Sequence, residues 1–285
     1  MTRPLTRLVV NADDLGLHAS LDAGILRAHR DGIVTSATLL ATGPTAPEAA
    51  ARAKEAGLAV GLHLALSTRL PPAAPAHEVP SVAPGGRMRG SWADFARAWL
   101  TGKVRREELA RELSAQLQRA RALGVTVDHL DGHQHLHLLP GVRPLVESLA
   151  AREGLPLRWP DARPRPRWLR APAPALKATV LAVLARTAPR APQRVRRVSA
   201  GGVFEAGMLD EAALLSVVDA LPAGDFELGC HPGEGTPHVP EDPAWRYGWQ
   251  SELAALTSAR VKARLRERGV ELHTYGSLFS GTADR

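Results

Sequence analysis

Seven residues, Asp131-Gly132-His133-Gln134-His135-Leu136-His137, hold three histidines at a spacing of two, and an acidic pair, Asp13-Asp14, stands near the N-terminus. Imidazole and carboxylate are ligands from which divalent-metal sites are built. One carboxylate with two imidazoles leaves coordination positions open for water and substrate. Hydrolysis needs such an opening, because a metal there polarises a carbonyl and acidifies water. The other aspartate of the pair would then be free to act as general base. Taken singly, these features have bland readings. Acidic pairs commonly open loops or cap helices, and His63 in the apolar stretch Gly61-Leu62-His63-Leu64 has the look of a hydrogen-bonded core histidine. The histidine run resists that treatment. On an extended backbone its three imidazoles project to one side, and packing does not explain them. Not all three need ligate; one or two would hold a ligand's tautomer from behind.

The elements that would position these groups follow from hydrophobic periodicity. Short apolar runs at 5–12, 33–41, 58–66, 125–132, 155–159, 195–204, 226–232 and 270–276 read as strands. Helical spacing between them predicts helices over 19–31, 46–56, 91–100, 104–123, 141–153, 208–221 and across 246–268. Repeated strand–helix units imply parallel strands joined by right-handed crossovers. The expected fold is α/β: a complete or distorted (β/α) TIM-like barrel, ahead of an open doubly wound sheet. Residues 1–280 are expected to form one domain, with a Pro/Arg-rich insertion at about 159–197. The reactive residues then fall at strand ends: Asp13 and Asp14 on the first, His63 on the third, Asp131 and the histidines on the fourth, Arg158 on the fifth, and His231 after Phe226-Glu227-Leu228-Gly229-Cys230. In a (β/α) barrel those ends share one mouth, where active sites sit.

Composition narrows the partners. The formal net charge is +7 over 285 residues, but residues 158–197 carry ten Arg and one Lys against a single Asp, leaving the rest slightly acidic. With 4% aromatics, the chain lacks the stacking residues of a nucleic-acid groove. One cysteine excludes a disulfide framework. No apolar run reaches the ~18–20 residues of a membrane span, and the expected location is the cytoplasm. The insertion is expected to pack its helix Ala175–Thr187 through Leu176, Val180, Leu181, Val183 and Leu184. Alternatively, Arg163, Arg165 and Arg167 form a lid or a peripheral contact to an anionic surface. A homodimer is compatible with the composition.

Five segments in order carry a family resemblance: Asn11-Ala12-Asp13-Asp14-Leu15-Gly16, Gly32-Ile33-Val34-Thr35-Ser36-Ala37-Thr38-Leu39, Gly61-Leu62-His63-Leu64, the His129–His137 stretch and Cys230-His231-Pro232-Gly233. Together they resemble the YdjC-like carbohydrate deacetylases, including the chitooligosaccharide deacetylases, and the hopanoid-associated branch is similar in its N-terminal half. The likeness weakens between about 160 and 200. It implies a hydrolase that removes acetyl groups from N-acetylated sugars with one divalent metal, Mg²⁺ or Zn²⁺, with Mn²⁺ or Ni²⁺ also suited. By the same resemblance Asp14, His63 and His133 are the metal ligands and Asp13 the base. Arg158 would pair with the base, and His231 would protonate the leaving amine. Two rivals stand beside this reading. One is a barrel metalloenzyme of another sugar chemistry, an isomerase or epimerase; the other is an Arg-rich nucleic-acid-binding protein.

Overall fold

The computed structural model describes residues 5–160, 172–239 and 246–280. The strands are β1 (Thr6–Leu15), β2 (Ser36–Leu39), β3 (Ala59–Leu64), β4 (Val127–Gly132), β5 (Leu157–Pro160), β6 (Arg197–Gly201), β7 (Gly224–Cys230) and β8 (Val270–Leu272). Every pairing is parallel. Each of β1 to β7 pairs with the next, and β7 returns to β1, so seven strands close the barrel. The eighth is not a stave of its own. It lies against Thr6–Leu8 of β1, while β2 takes the same edge of β1 from Asn11 onward. The ten residues of β1 thus serve two neighbours on one side, and the barrel is of the distorted kind.

The helices are α1 (Ala19–Asp31), α2 (Ala46–Glu55), α3 (Trp92–Leu100), α4 (Arg106–Ala122), α5 (Val142–Glu153), α6 (Pro172–Arg186), α7 (Glu211–Asp219), α8 (Trp249–Thr257), α9 (Ala259–Glu267) and α10 (Tyr275–Phe279). The period of two along β1 divides the molecule into two interiors. Leu8, Val10 and Ala12 join the main core with Ile25 of α1 and Leu256 of α8, outside the barrel wall. Val9 points inward and meets Val198 of β6 together with Tyr275 and Leu278 of α10, which plug the barrel floor. Above that small apolar floor the barrel interior is polar: Asn11, Asp13, Thr38, His63, Asp131, Arg158 and Glu227 are all buried. Barrels of this type usually fill that volume with branched apolar side chains.

Two expectations are corrected. The backbone of the histidine run is not extended: β4 stops at Gly132, and His133–Leu138 coil into a 3₁₀ turn with Gln134 and His135 at φ 54° and 59°. Helix α6 forms, but of its expected core residues only Leu181 is buried, beside Ala178, Ala182 and Ala185, against Leu138, Val203 and Phe204. Leu176, Val180 and Val183 face outward. The smaller alanine face fits closer to the barrel, and spacing alone does not distinguish two apolar faces. Arg163, Arg165 and Arg167 lie outside the described residues. Among the described residues no helix is long and apolar enough to cross a membrane.

Candidate metal centre

Adjacent strand residues ordinarily point to opposite faces, yet both Asp13 and Asp14 reach the barrel mouth. The cause is a bulge: Asp14 sits at φ 69°, and the β1–β2 register shifts between Ala12 and Leu15. The turn that follows is tied down by Asp22, which accepts from the Gly16 amide (2.7 Å) and the Thr45 hydroxyl (2.5 Å).

Asp14, His63 and His133 converge. His133 Nδ1 lies 2.9 Å from Asp14 Oδ1 and 3.3 Å from His63 Nε2, and His63 Nε2 lies 3.4 Å from Asp14 Oδ1. All three side chains are buried. Neighbouring donor atoms each about 2.0–2.2 Å from one ion lie about 3–3.5 Å apart, so the three could hold a metal. Asp131 stands behind the set, 2.6 Å from His63 Nδ1, and fixes which nitrogen of that ring faces the other two groups. Burial alone would lower the His63 pKa, but Asp131, then Asp13 and Asp14, push it up to about 9. Burial would raise Asp14, and His133 and His63 outweigh it, holding the carboxyl below its usual range. To hold an ion here, His63 would have to be the neutral imidazole.

Asp13, His63 and Asp131 also lie close enough together to suggest a cation. Here the chain supplies one. Arg158 forks onto Asp13, Nη1 to Oδ2 and Nη2 to Oδ1, both at 2.6 Å. Its Nη1 also lies 2.8 Å from Asp131 Oδ2, and its Nη2 2.5 Å from Glu227 Oε1. Burial would raise Asp13, and the Arg158 guanidinium reverses this, holding the carboxyl well below the usual range. Asn11 donates to Asp13 Oδ1 at 2.9 Å and to Thr38 Oγ1 at 3.2 Å, and Thr38 reaches Asp131 Oδ2 at 3.2 Å. Thus Asp13 is ionised and held at both oxygens.

His231 follows β7 on the other side of Asp13, with Nε2 3.9 Å from Asp13 Oδ2. Burial holds its imidazole below the usual range. Its backbone amide donates to Glu252 of α8 (2.6 Å), which also accepts from the Gly207 amide (2.7 Å). Burial pushes Glu252 up to about 7. Asp13, His63, His133, Arg158 and His231 line one cavity of ≈ 100 Å³, together with Tyr247 and His135. That is room for a group of a few heavy atoms. The six residues singled out from sequence therefore meet at one place. His137 does not: its Nε2–H donates to the Arg158 carbonyl (3.2 Å), and burial lowers its pKa to about 4, so it is neutral. Asp131, one of the reactive strand-end residues, holds His63 from behind, whereas Glu227, Glu252, Thr38 and Asn11 do not stand out as site residues in the sequence. The signal available for the two glutamates is a carboxylate among buried apolar residues of a strand or helix.

A family model for YdjC-like proteins matches residues 7–267. The chain belongs to that family. Its relatives include a carbohydrate deacetylase of Geobacillus stearothermophilus, 34% identical over 95% of this chain and 97% of that one. A chitooligosaccharide deacetylase of Salmonella typhimurium is 31% identical, over 92% and 95%. A crystal structure of an Enterococcus faecalis protein named for cellobiose-phosphate cleavage superposes with a TM-score of 0.78 at 28% identity, covering 96% of this chain and 99% of that one. The YdjC-like chain described here is an enzyme, a hydrolase.

Proposed function

We propose that this YdjC-like protein is a metal-dependent deacetylase that hydrolyses the acetamido group of an N-acetylated sugar of the N-acetylglucosamine type, releasing acetate. The observation that carries the reading is the division of labour within one cavity. Asp14, His63 and His133 converge as a ligand set, while both carboxylate oxygens of the neighbouring Asp13 are engaged by Arg158. The names of the Geobacillus and Salmonella relatives support the substrate class.

Asp14, His63 and His133 would hold one divalent ion, Mg²⁺ or Zn²⁺, with Mn²⁺ and Ni²⁺ also matching the donors. Bound there, the ion supplies Lewis-acid polarisation of the acetyl carbonyl and of the attacking water. The protein residues do the rest. Asp13, kept ionised by Arg158, takes the water's proton. A protonated Asp13 is a strong acid beside a neutral His231, whose Nε2 is 3.9 Å away. The proton passes to His231 and then to the departing nitrogen, so none is drawn from solvent. The ≈ 100 Å³ cavity receives the acetyl end, leaving the sugar ring outside.

The test is product analysis on an N-acetylglucosamine oligomer with each of the four metals. Acetate and free amine should appear one to one. A rearranged sugar with its acetyl group retained would instead establish an isomerase or epimerase.

A further inference from the structure

Beside Asp13, Arg158 Nη2 also meets a chain of buried groups that descends to the barrel floor. Glu227 on β7 faces Arg158 Nη2 through Oε1 (2.5 Å), and its Oε2 accepts from the hydroxyl of Tyr275. Tyr275 opens α10 and has no exposed surface. Its ring stacks on His129, with centroids 3.8 Å apart and planes 8° from parallel, and His129 Nδ1 is anchored 2.6 Å from Asp128 Oδ1. Gly61, two residues before His63, makes the stack possible. A Cβ there would lie 2.3–2.7 Å from the His129 ring atoms. Burial drives the Tyr275 hydroxyl pKa upward, so it keeps the proton that it donates to Glu227.

We propose that Glu227 and Tyr275 are positioning residues for the reaction: together they orient the guanidinium of Arg158, and through it the base Asp13. Tyr275 lies beyond residue 267, where the family match ends. The C-terminal segment thereby serves the reaction through the Tyr275 hydroxyl alone, and the rest of it is floor plug. A planar guanidinium can satisfy Asp13 with both Nη atoms in only one orientation. Without Glu227, Arg158 keeps its charge and its Asp131 contact at Nη1 but loses the second carboxylate at Nη2 that restrains its rotation.

The inference rests on the deacetylase reading for its kinetic consequence, so its test has a part that needs no substrate. In arginine-labelled protein, the Arg158 Nε–H resonance is assigned by its loss in Arg158→Lys. Its hydrogen exchange is then followed in Tyr275→Phe and Glu227→Leu. Tyr275→Phe should quicken exchange about tenfold and lower kcat roughly fivefold to tenfold, the scale of one buried hydrogen bond. Glu227→Leu should cost roughly tenfold to a hundredfold in kcat. In both, KM and metal content should stay put. The double variant should match Glu227→Leu alone, because Tyr275 acts through Glu227. Leu278→Ala, in the same floor cluster, controls for loosening of the plug: it should lower Tm while leaving exchange and kcat unchanged. Should Glu227→Leu not fold, Tyr275→Phe removes a single oxygen and carries the test. Exchange as slow in both variants as in the native protein would overturn the proposal, and so would an equal kcat loss in Leu278→Ala. If the native protein releases no acetate while the exchange differences hold, the deacetylase reading falls and the clamp on Arg158 stands.

Discussion

Asp13 and Asp14 are chain neighbours with opposite duties, and a left-handed Asp14 is what separates them. Asp14 faces two imidazoles; Asp13 faces a guanidinium. Their substitutions should therefore diverge. Asp13→Asn should retain the metal and lose roughly 10²–10⁴ in rate, the scale of general base catalysis. His63→Ala should lose metal and activity together. Elemental analysis of the purified variants decides it, and full occupancy in His63→Ala would remove His63 from the ligand set. His231 gives a second residue-level prediction. His231→Gln should cost a similar 10²–10⁴ on an acetamide, whose nitrogen must be protonated to leave. On p-nitrophenyl acetate, whose leaving group departs without a proton, the loss should shrink to a few fold. An equal loss on both substrates would place His231 elsewhere in the reaction. At this scale the sequence was informative because chemically capable residues stood out against apolar strands. It was silent where spacing depends on backbone handedness: the side shared by Asp13 and Asp14, and the coil that sends His133 to the ligand set and His137 behind Arg158, both follow from positive φ values at non-glycine residues.

Among the elements, the strand and helix order was legible because the period switches cleanly between two and 3.6. The role of β8 was not. A three-residue strand has the same local pattern whether it forms a stave or fills a gap along β1, and only the pairing of Thr6–Leu8 with Val270–Leu272 distinguishes them. The function of α8 was hidden for a similar reason. Glu252 lies among the buried apolar residues of its helix, where its carboxyl oxygens receive the amides of His231 and Gly207. The contact pins the loop that carries His231 to α8. Packing of α1 pins the same loop from below, since a Cβ on Gly24 would come within 2.4 Å of Gly233 Cα. Burial raises the Glu252 pKa to about 7 from an ordinary 4.5, so between those values the folded state holds a proton that the unfolded state has released. Stability from this group is therefore full at low pH and declines as pH rises from about 4.5 to 7. The stability difference between native protein and Glu252→Gln should shrink across that window by up to about 3 kcal/mol, measured by urea unfolding. A difference independent of pH would mean that Glu252 is ionised throughout.

For the whole molecule, the polar barrel interior is the dominant fact. Asp13, Asp14, Asp131 and Glu227 are buried with Arg158, His63, His129 and His133 where an ordinary barrel would place branched apolar side chains. Charges buried so deeply stabilise little on their own, and an ion that binds only the folded state adds stability by mass action. A divalent metal at a hundred times its Kd should contribute about 2.7 kcal/mol, visible as a rise in Tm that His63→Ala lacks. The net charge of +7 is concentrated in residues 158–197, a segment that opens with the interior Arg158. The measurement that bears most directly on the whole account is acetate release from an N-acetylglucosamine oligomer by chelator-treated protein, before and after one equivalent of divalent metal is restored. We expect no release without metal and recovery at one ion per chain. Release at an undiminished rate from metal-free protein, or none with any of Mg²⁺, Zn²⁺, Mn²⁺ or Ni²⁺, would contradict it.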